Sequence, residues 1–128
     1  MRKALITGAS RGLGRALVLA LAERGWSVLM TARSAEALEA VRLEASGHGA
    51  PIRAIAGDVS DATHRARLAA AVEAQGGLDL VINNAGILGP SPRPKLLDLA
   101  SEDLEQICRV NAFAAIALVQ ALRTHLPA

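Results

Sequence analysis

Residues Thr7–Gly14 read Thr-Gly-Ala-Ser-Arg-Gly-Leu-Gly and join a short apolar run, Ala4–Thr7, to a helical pattern that starts at Gly12. Glycines at such a junction let the backbone turn sharply and come close to a bound group. Because the free N–H groups at the start of a helix attract an anion, this strand–turn–helix context predicts a site for a phosphate or pyrophosphate. The alternative is a tight turn between a strand and a helix that binds nothing.

Apolar runs of strand length alternate with longer helical patterns along the rest of the chain. The predicted strands are rich in Val, Ile and Leu and cover Ala4–Thr7, Ser27–Thr31, Ile52–Ala56 and Leu78–Asn83. The predicted helices cover Gly12–Arg24, Ala35–Ala45, Asp61–Gln75 and a segment from about Ser101 to about Leu126. This alternation predicts an α/β fold with a parallel sheet. Doubly wound folds of the Rossmann type have the strand order 3-2-1-4, which is therefore expected here. A crevice is expected between the first and fourth strands at their carboxyl ends.

Helix ends and helix faces carry further predictions. Ser34 and Ser60 are predicted N-caps, and the glycines expected just past the C-termini are Gly25, Gly47 and Gly76. The Pro-rich segment Leu88–Lys95 is predicted to be a loop. A stripe on the last helix is predicted to face the sheet, and its members are Leu104, Cys108, Asn111, Ala115, Leu118 and Leu122. Asn111 is then expected to hold a hydrogen bond, since an unpartnered buried amide costs roughly 1–3 kcal/mol.

Length and composition limit the classes of function. A chain of 128 residues suits one domain, which is expected to span residues 1–128. The 14 Lys and Arg are spread along the chain and the net charge is only +2, so no nucleic-acid surface is predicted. The first apolar stretch is far shorter than the roughly 20 residues needed to cross a bilayer, so no membrane association and a cytoplasmic location are expected. The three histidines, His48, His64 and His125, are predicted to be solvated and to form no metal site.

The glycine spacing and three later motifs resemble the short-chain dehydrogenase/reductase family. The family signature is Thr-Gly-x-x-x-Gly-x-Gly, and the resemblance extends to Asp58-Val59, to Asn83–Gly86 after the fourth strand and to Asn111. It covers the whole chain. The residues that the turn and the resemblance together assign to a dinucleotide cofactor are Gly8, Ser10, Arg11, Gly12, Leu13, Gly14, Arg33, Asp58, Val59, Asn84, Ala85 and Gly86.

The family also implies roles for the later motifs. Asp58 is expected to contact the adenine and Val59 to line its pocket, whereas an Asp in this position is otherwise a turn or capping residue. Asn83–Gly86 is expected to brace the sheet and to touch the cofactor, with the bracing assigned mainly to Asn83. Asn111 is expected to be the Asn of a catalytic Asn-Ser-Tyr-Lys tetrad; the alternative is a core Asn with satisfied hydrogen bonds.

The end of the second predicted strand favours NADP over NAD. NAD sites usually place a carboxylate about 20 residues beyond the glycines. Here no carboxylate lies between Glu23 and Glu36, and Arg33 occupies the end of the strand, where its guanidinium suits a 2′-phosphate. Arg11 in the turn is a second candidate. The alternative is that both arginines are solvated loop residues.

The chemistry of the family needs groups that this chain does not contain. The tetrad uses a Ser, a Tyr that protonates the carbonyl oxygen, and a Lys in a Tyr-x-x-x-Lys pair; Tyr is absent, and Lys3 and Lys95 are the only lysines. The sequence therefore predicts the N-terminal, NADP-binding part of an oxidoreductase that acts on a carbonyl or secondary alcohol, lacks the C-terminal strands of the family and is inactive alone. A homo-oligomer or a missing C-terminal segment is expected to cover its exposed sheet edge. The alternative is a non-catalytic NADP-binding module or structural partner that ends at Ala128.

Overall fold

One parallel four-stranded sheet forms the centre of the computed structural model, which describes all residues, Met1–Ala128. Its strands are β1 (Lys3–Thr7), β2 (Ser27–Thr31), β3 (Ile52–Ala54) and β4 (Leu80–Ile82). Their order is β3-β2-β1-β4, which confirms the predicted fold. β1 is central because it pairs with β2 from Lys3↔Ser27 and with β4 from Ala4↔Leu80. β3 and β4 are shorter than predicted.

Five α-helices follow or flank the strands. They are α1 (Gly12–Glu23), α2 (Ala35–Ala45), α3 (Ala62–Ala74), α4 (Ser101–Cys108) and α5 (Ala114–Leu122). The single last helix of the prediction is divided, because residues Arg109–Phe113 between α4 and α5 form a π-helical turn. Short 3₁₀ turns occupy Ser46–His48, Leu96–Asp98 and Arg123–His125.

Two of the predicted helix-end residues were wrong. Ser34 caps α2 as predicted, since its hydroxyl accepts from the Ala37 N–H at 3.2 Å. The cap of α3 is Asp61 rather than Ser60, because the Asp61 carboxylate accepts from the Thr63 N–H at 3.0 Å. Gly25 and Gly76 have the positive φ expected after α1 and α3, whereas the residue with positive φ after α2 is Gly49 and not Gly47.

The core consists of two layers, one on each face of the sheet. Successive residues of a strand point to opposite faces, so Ile6 and Leu5 of β1 enter different layers. On one face α1 and α2 contribute Val18, Ala22, Leu38 and Val41. On the other face α3 and α5 contribute Leu68, Val72, Leu118 and Leu122. The sheet is therefore covered by helices on both sides.

The predicted buried stripe of the last helix is correct only in its C-terminal half. Leu118 and Leu122 are buried, but the face continues to Ala114 and Val110, while Leu104 and Asn111 are exposed. The π-helical turn explains the difference: its i→i+5 hydrogen bonds place more residues in a turn than an α-helix does, so the face moves by one position.

An apolar surface remains open along the same helix. Phe113 and Ile116 expose 63% and 59% of their surface, whereas Val110 on the same helical segment is buried. By length and composition alone Ser101–His125 could also cross a membrane, a test that core helices of soluble proteins pass too. This evidence is weak, since Leu118 and Leu122 pack against the sheet.

Candidate functional site

A cleft of about 520 Å³ opens where all four strands end. Carboxyl ends of parallel strands meet at one edge of a sheet, so the segments that follow them share this cleft. The lining residues are Gly8, Ser10, Arg11, Gly12, Ala32, Arg33, Ser34, Ala37, Gly57, Asp58, Val59, Asn84, Ala85, Gly86, Ile87 and Val110.

Most of the predicted site residues line this cleft, and only Leu13, Gly14 and Asn111 do not. Leu13 is exposed on α1. Six lining residues were not predicted: Ala32, Ser34, Ala37, Gly57, Ile87 and Val110. Four of these adjoin a predicted residue and could have been found by extending each motif beyond its strand. Ala37 and Val110 reach the cleft through tertiary packing and carry no local signal.

The glycines of the turn have different reasons to be glycine. Gly8 has φ +62°, and a Cβ there would lie 2.9 Å from the Ala85 backbone. Gly14 sits beneath the cleft, where a Cβ would overlap the Gly8 carbonyl oxygen. Gly12 has φ +55° and a Cβ there would meet nothing within 4 Å. Gly8 and Gly14 thus permit close packing of the turn, whereas Gly12 borders open space in the cleft.

The start of α1 is open to an anion. Its N-cap, Arg11, makes no side-chain hydrogen bond to the helix, and the first turn contains no acidic residue. By contrast, α2 has its Ser34 cap and Glu36 in the first turn, and α3 has its Asp61 cap. The N–H groups of the first turn of α1 therefore have no side-chain acceptor and are available to a phosphate.

The charge of the cleft lining is predominantly positive. Arg11 and Arg33 line the cleft, and neither belongs to a salt bridge. Asp58 is the only acidic residue among the lining residues. Burial by itself raises the pKa of Asp58, but hydrogen bonds from the Ser60 N–H (2.9 Å) and hydroxyl (2.8 Å), together with Arg33, hold it below its usual value. Asp58 therefore closes the turn after β3 as an ionised carboxylate.

Thr7 and Asn84 join the loop after β4 to the end of β1. The Thr7 hydroxyl oxygen accepts from the backbone N–H groups of Asn84 and Ala85, both at 3.0 Å. The Asn84 amide also donates to the Gly8 carbonyl at 3.0 Å. The bracing role predicted for Asn83 thus falls to Asn84, while Asn83 is exposed. Thr7 was missed as a site residue, although it directly precedes the first glycine.

Asn111 holds the backbone of one cleft residue. Its Oδ1 accepts from the Ile87 N–H at 2.7 Å, and its Nδ2 donates to the Ile87 carbonyl at 2.8 Å. The expected hydrogen bond is therefore present, but Asn111 is exposed and not buried. It lies in the π-helical turn, a feature that is frequent at functional sites. In this chain Asn111 positions the segment after β4.

The prediction that His64 is solvated was wrong. Its ring is fully buried, and Nε2 lies 2.8 Å from the Thr31 hydroxyl at the end of β2. Gly57, which lines the cleft, makes room for it, since a Cβ at Gly57 would overlap the ring. His48 is exposed, as predicted.

Comparisons with known proteins agree with this geometry. The family model for short chain dehydrogenase matches residues 2–128. The 1-deoxy-11-beta-hydroxypentalenate dehydrogenase of Streptomyces exfoliatus is 36% identical over 121 residues, which are 94% of this chain and 44% of that protein.

Solved structures share the fold. An alcohol dehydrogenase from the archaeon Thermococcus sibiricus, complexed with 5-hydroxy-NADP, is 32% identical with a TM-score of 0.88, and the match covers 98% of this chain and 53% of that one. A metagenomic short-chain oxidoreductase in complex with NADP is 33% identical with a TM-score of 0.87, over 97% of this chain and 56% of that one. This chain spans about half the length of the relatives it matches.

Proposed function

The chain belongs to the short-chain dehydrogenase family, and from that premise we propose that it is the NADP-binding part of an oxidoreductase. The substrate class is a carbonyl compound or the corresponding secondary alcohol. The main support for the proposal is the cleft itself. Arg11 and Arg33 line it without forming a salt bridge, the start of α1 has no side-chain cap, and a Cβ at Gly12 would meet no neighbour within 4 Å.

The residues present fit NADP. The turn Gly8–Gly14 and the N-terminus of α1 would hold the pyrophosphate. Arg11 and Arg33 would bind the 2′-phosphate, because a guanidinium makes strong charge-assisted hydrogen bonds to phosphate. Asp58-Val59 would border the adenine, and Asn84–Ile87 would border the remaining part of the cofactor. NAD would gain nothing from the arginines, so NADP is the preferred cofactor.

The cofactor, when bound, supplies hydride chemistry, and the protein supplies binding and orientation. Asn111 keeps Ile87 in place at the cleft through its two hydrogen bonds. A proton donor for the carbonyl oxygen is still required, and the family's Tyr has no counterpart among these 128 residues. We therefore assign this chain the binding step and leave the proton transfer to residues outside it.

A non-catalytic NADP-binding module is the second candidate, because such a module would also account for a cofactor cleft in a chain without Tyr. The genomic sequence downstream of Ala128 distinguishes the two candidates. Codons for a Ser and a Tyr-x-x-x-Lys pair downstream of Ala128, in the same reading frame, support the oxidoreductase. A stop codon directly after Ala128 supports the binding module.

Calorimetric titration with NADPH and NADH tests the cofactor assignment. Arg33→Ala is expected to weaken NADPH binding by about 1.5–3 kcal/mol, the scale of a hydrogen bond to a charged group, and to leave NADH nearly unchanged. Arg53→Ala is the matched control, because Arg53 is exposed on β3 outside the cleft lining. An equal loss for both cofactors in Arg33→Ala would contradict the 2′-phosphate assignment.

A further inference from the structure

His64 lies between the end of β2 and the turn after β3, next to one wall of the cleft. Its Nε2 contacts the Thr31 hydroxyl at 2.8 Å, and Thr31 is followed by the lining residues Ala32 and Arg33. On the other side its ring packs against Gly57, whose neighbour Asp58 also lines the cleft. The ring thus connects two of the four segments that form the cleft.

This position suits an uncharged ring. His64 Nδ1 is buried and has no hydrogen-bond partner. A neutral ring leaves only that one atom unpaired, whereas a protonated ring would bury a charge and an N–H group without an acceptor. The cost of an unpartnered charged donor exceeds that of a neutral one. A proton at Nδ1 therefore makes this buried position less favourable for the ring.

The charged groups around the ring do not remove this cost. β2 contributes only the uncharged Thr31, the turn after β3 contributes Asp58, and α3 contributes Asp61 and Arg67. Burial and Arg67 lower the pKa of His64, and the two carboxylates oppose them without reversing the shift. The ring is consequently neutral at pH 7.

We infer that His64 is a positioning residue for the cofactor cleft and makes cofactor binding sensitive to acid. The neutral ring holds the end of β2 against Gly57, and protonation releases it, so that the wall formed by Arg33, Gly57 and Asp58 loosens. The inference rests on the proposed binding of NADP. Its direction follows from linkage: the stabilisation is complete above the ordinary pKa of 6.5 and is lost as the pH falls through the lowered pKa.

Calorimetric titration of the full chain with NADP⁺ between pH 5 and pH 8 tests the inference. The oxidised cofactor is used because it tolerates mild acid. Its 2′-phosphate titrates near pH 6, so the affinity of the wild type also falls for a reason unrelated to His64. His64→Gln, which keeps a polar partner for Thr31 but has no titrating ring, isolates the contribution of the histidine. His48→Gln makes the same change at an exposed position.

Between pH 8 and pH 5, wild type and His48→Gln are each expected to lose at least about threefold more affinity for NADP⁺ than His64→Gln. The reason is that the affinity falls by up to about tenfold for each pH unit below the pH at which the His64 ring titrates. Identical pH profiles for wild type and His64→Gln would overturn the inference and leave the proposed function intact. Failure of the wild type to bind NADP⁺ at pH 8 would overturn both.

A second measurement applies even where His64→Gln does not fold. Proton NMR follows the ring C–H signals of the three histidines in the wild type, and His48→Gln and His125→Gln identify the other two. Because binding and protonation are linked reciprocally, saturating NADP⁺ is expected to move the titration of His64 to lower pH. A His64 titration that NADP⁺ leaves unchanged would refute the inference.

Discussion

Replacing Thr7 by Val should destabilise the chain far more than its small change in shape suggests. The Thr7 side chain is buried, with 1% of its surface exposed, and its hydroxyl oxygen is the acceptor for two backbone N–H groups. Val fills nearly the same space and provides no acceptor. Asn84 and Ala85 then lose their hydrogen bonds, and the loop that borders the cleft loses its attachment to β1.

The expected magnitude follows from those two donors. An N–H group left without a partner costs about 1–3 kcal/mol, and since both groups are only partly buried we take the lower half of that range. At about 1–2 kcal/mol for each of the two groups, Thr7→Val should therefore lower the free energy of unfolding by about 2–4 kcal/mol, a large share of the roughly 5–15 kcal/mol typical of a domain.

Urea unfolding followed by circular dichroism measures this loss. Thr7→Ser retains the oxygen and should recover most of the difference. Thr63→Val is the control, since Thr63 is exposed and its side chain should contribute less than about 0.5 kcal/mol. A loss below about 0.5 kcal/mol in Thr7→Val, or an equal loss in Thr7→Ser, would show that the hydroxyl does not hold the loop.

Three further predictions concern activity and assembly. The chain itself should not oxidise NADPH with any of a panel of ketones, because it has no Tyr; turnover above background, with the mass of the chain verified, would be evidence against this. In a longer enzyme that contains this chain, Asn111→Leu should lower kcat much more than NADPH affinity, whereas unchanged turnover would mean that Asn111 only holds Ile87. The outer edge of β4 and the exposed Phe113 and Ile116 should promote association, which sedimentation equilibrium at micromolar concentration measures; a cooperatively folding monomer would contradict it.

Local patterns were sufficient to predict the sheet and most of the cleft. The regular alternation of strands and helices predicts a parallel sheet, and the order 3-2-1-4 is the one expected of a doubly wound fold of the Rossmann type. The turn after β1 follows from the spacing of its glycines. Parallel strands end at one edge, so the motifs after β1, β2, β3 and β4 had to meet there. Arg33 was thus found from its place at the end of β2, whereas the assignment of Asp58 to the cofactor also needed the family resemblance.

Contacts between distant segments account for what the sequence did not reveal. A histidine at the start of a helix, such as His64, is usually solvated. Its burial here depends on the hydrogen bond with Thr31 and on the space left by the absence of a Cβ at Gly57. Periodicity assumes a regular helix, so the buried face was misassigned at Asn111, where the chain forms a π-helical turn. Hydrogen-bond partners and helix irregularities depend on which segments pack together, whereas a sequence pattern reports only on neighbours along the chain.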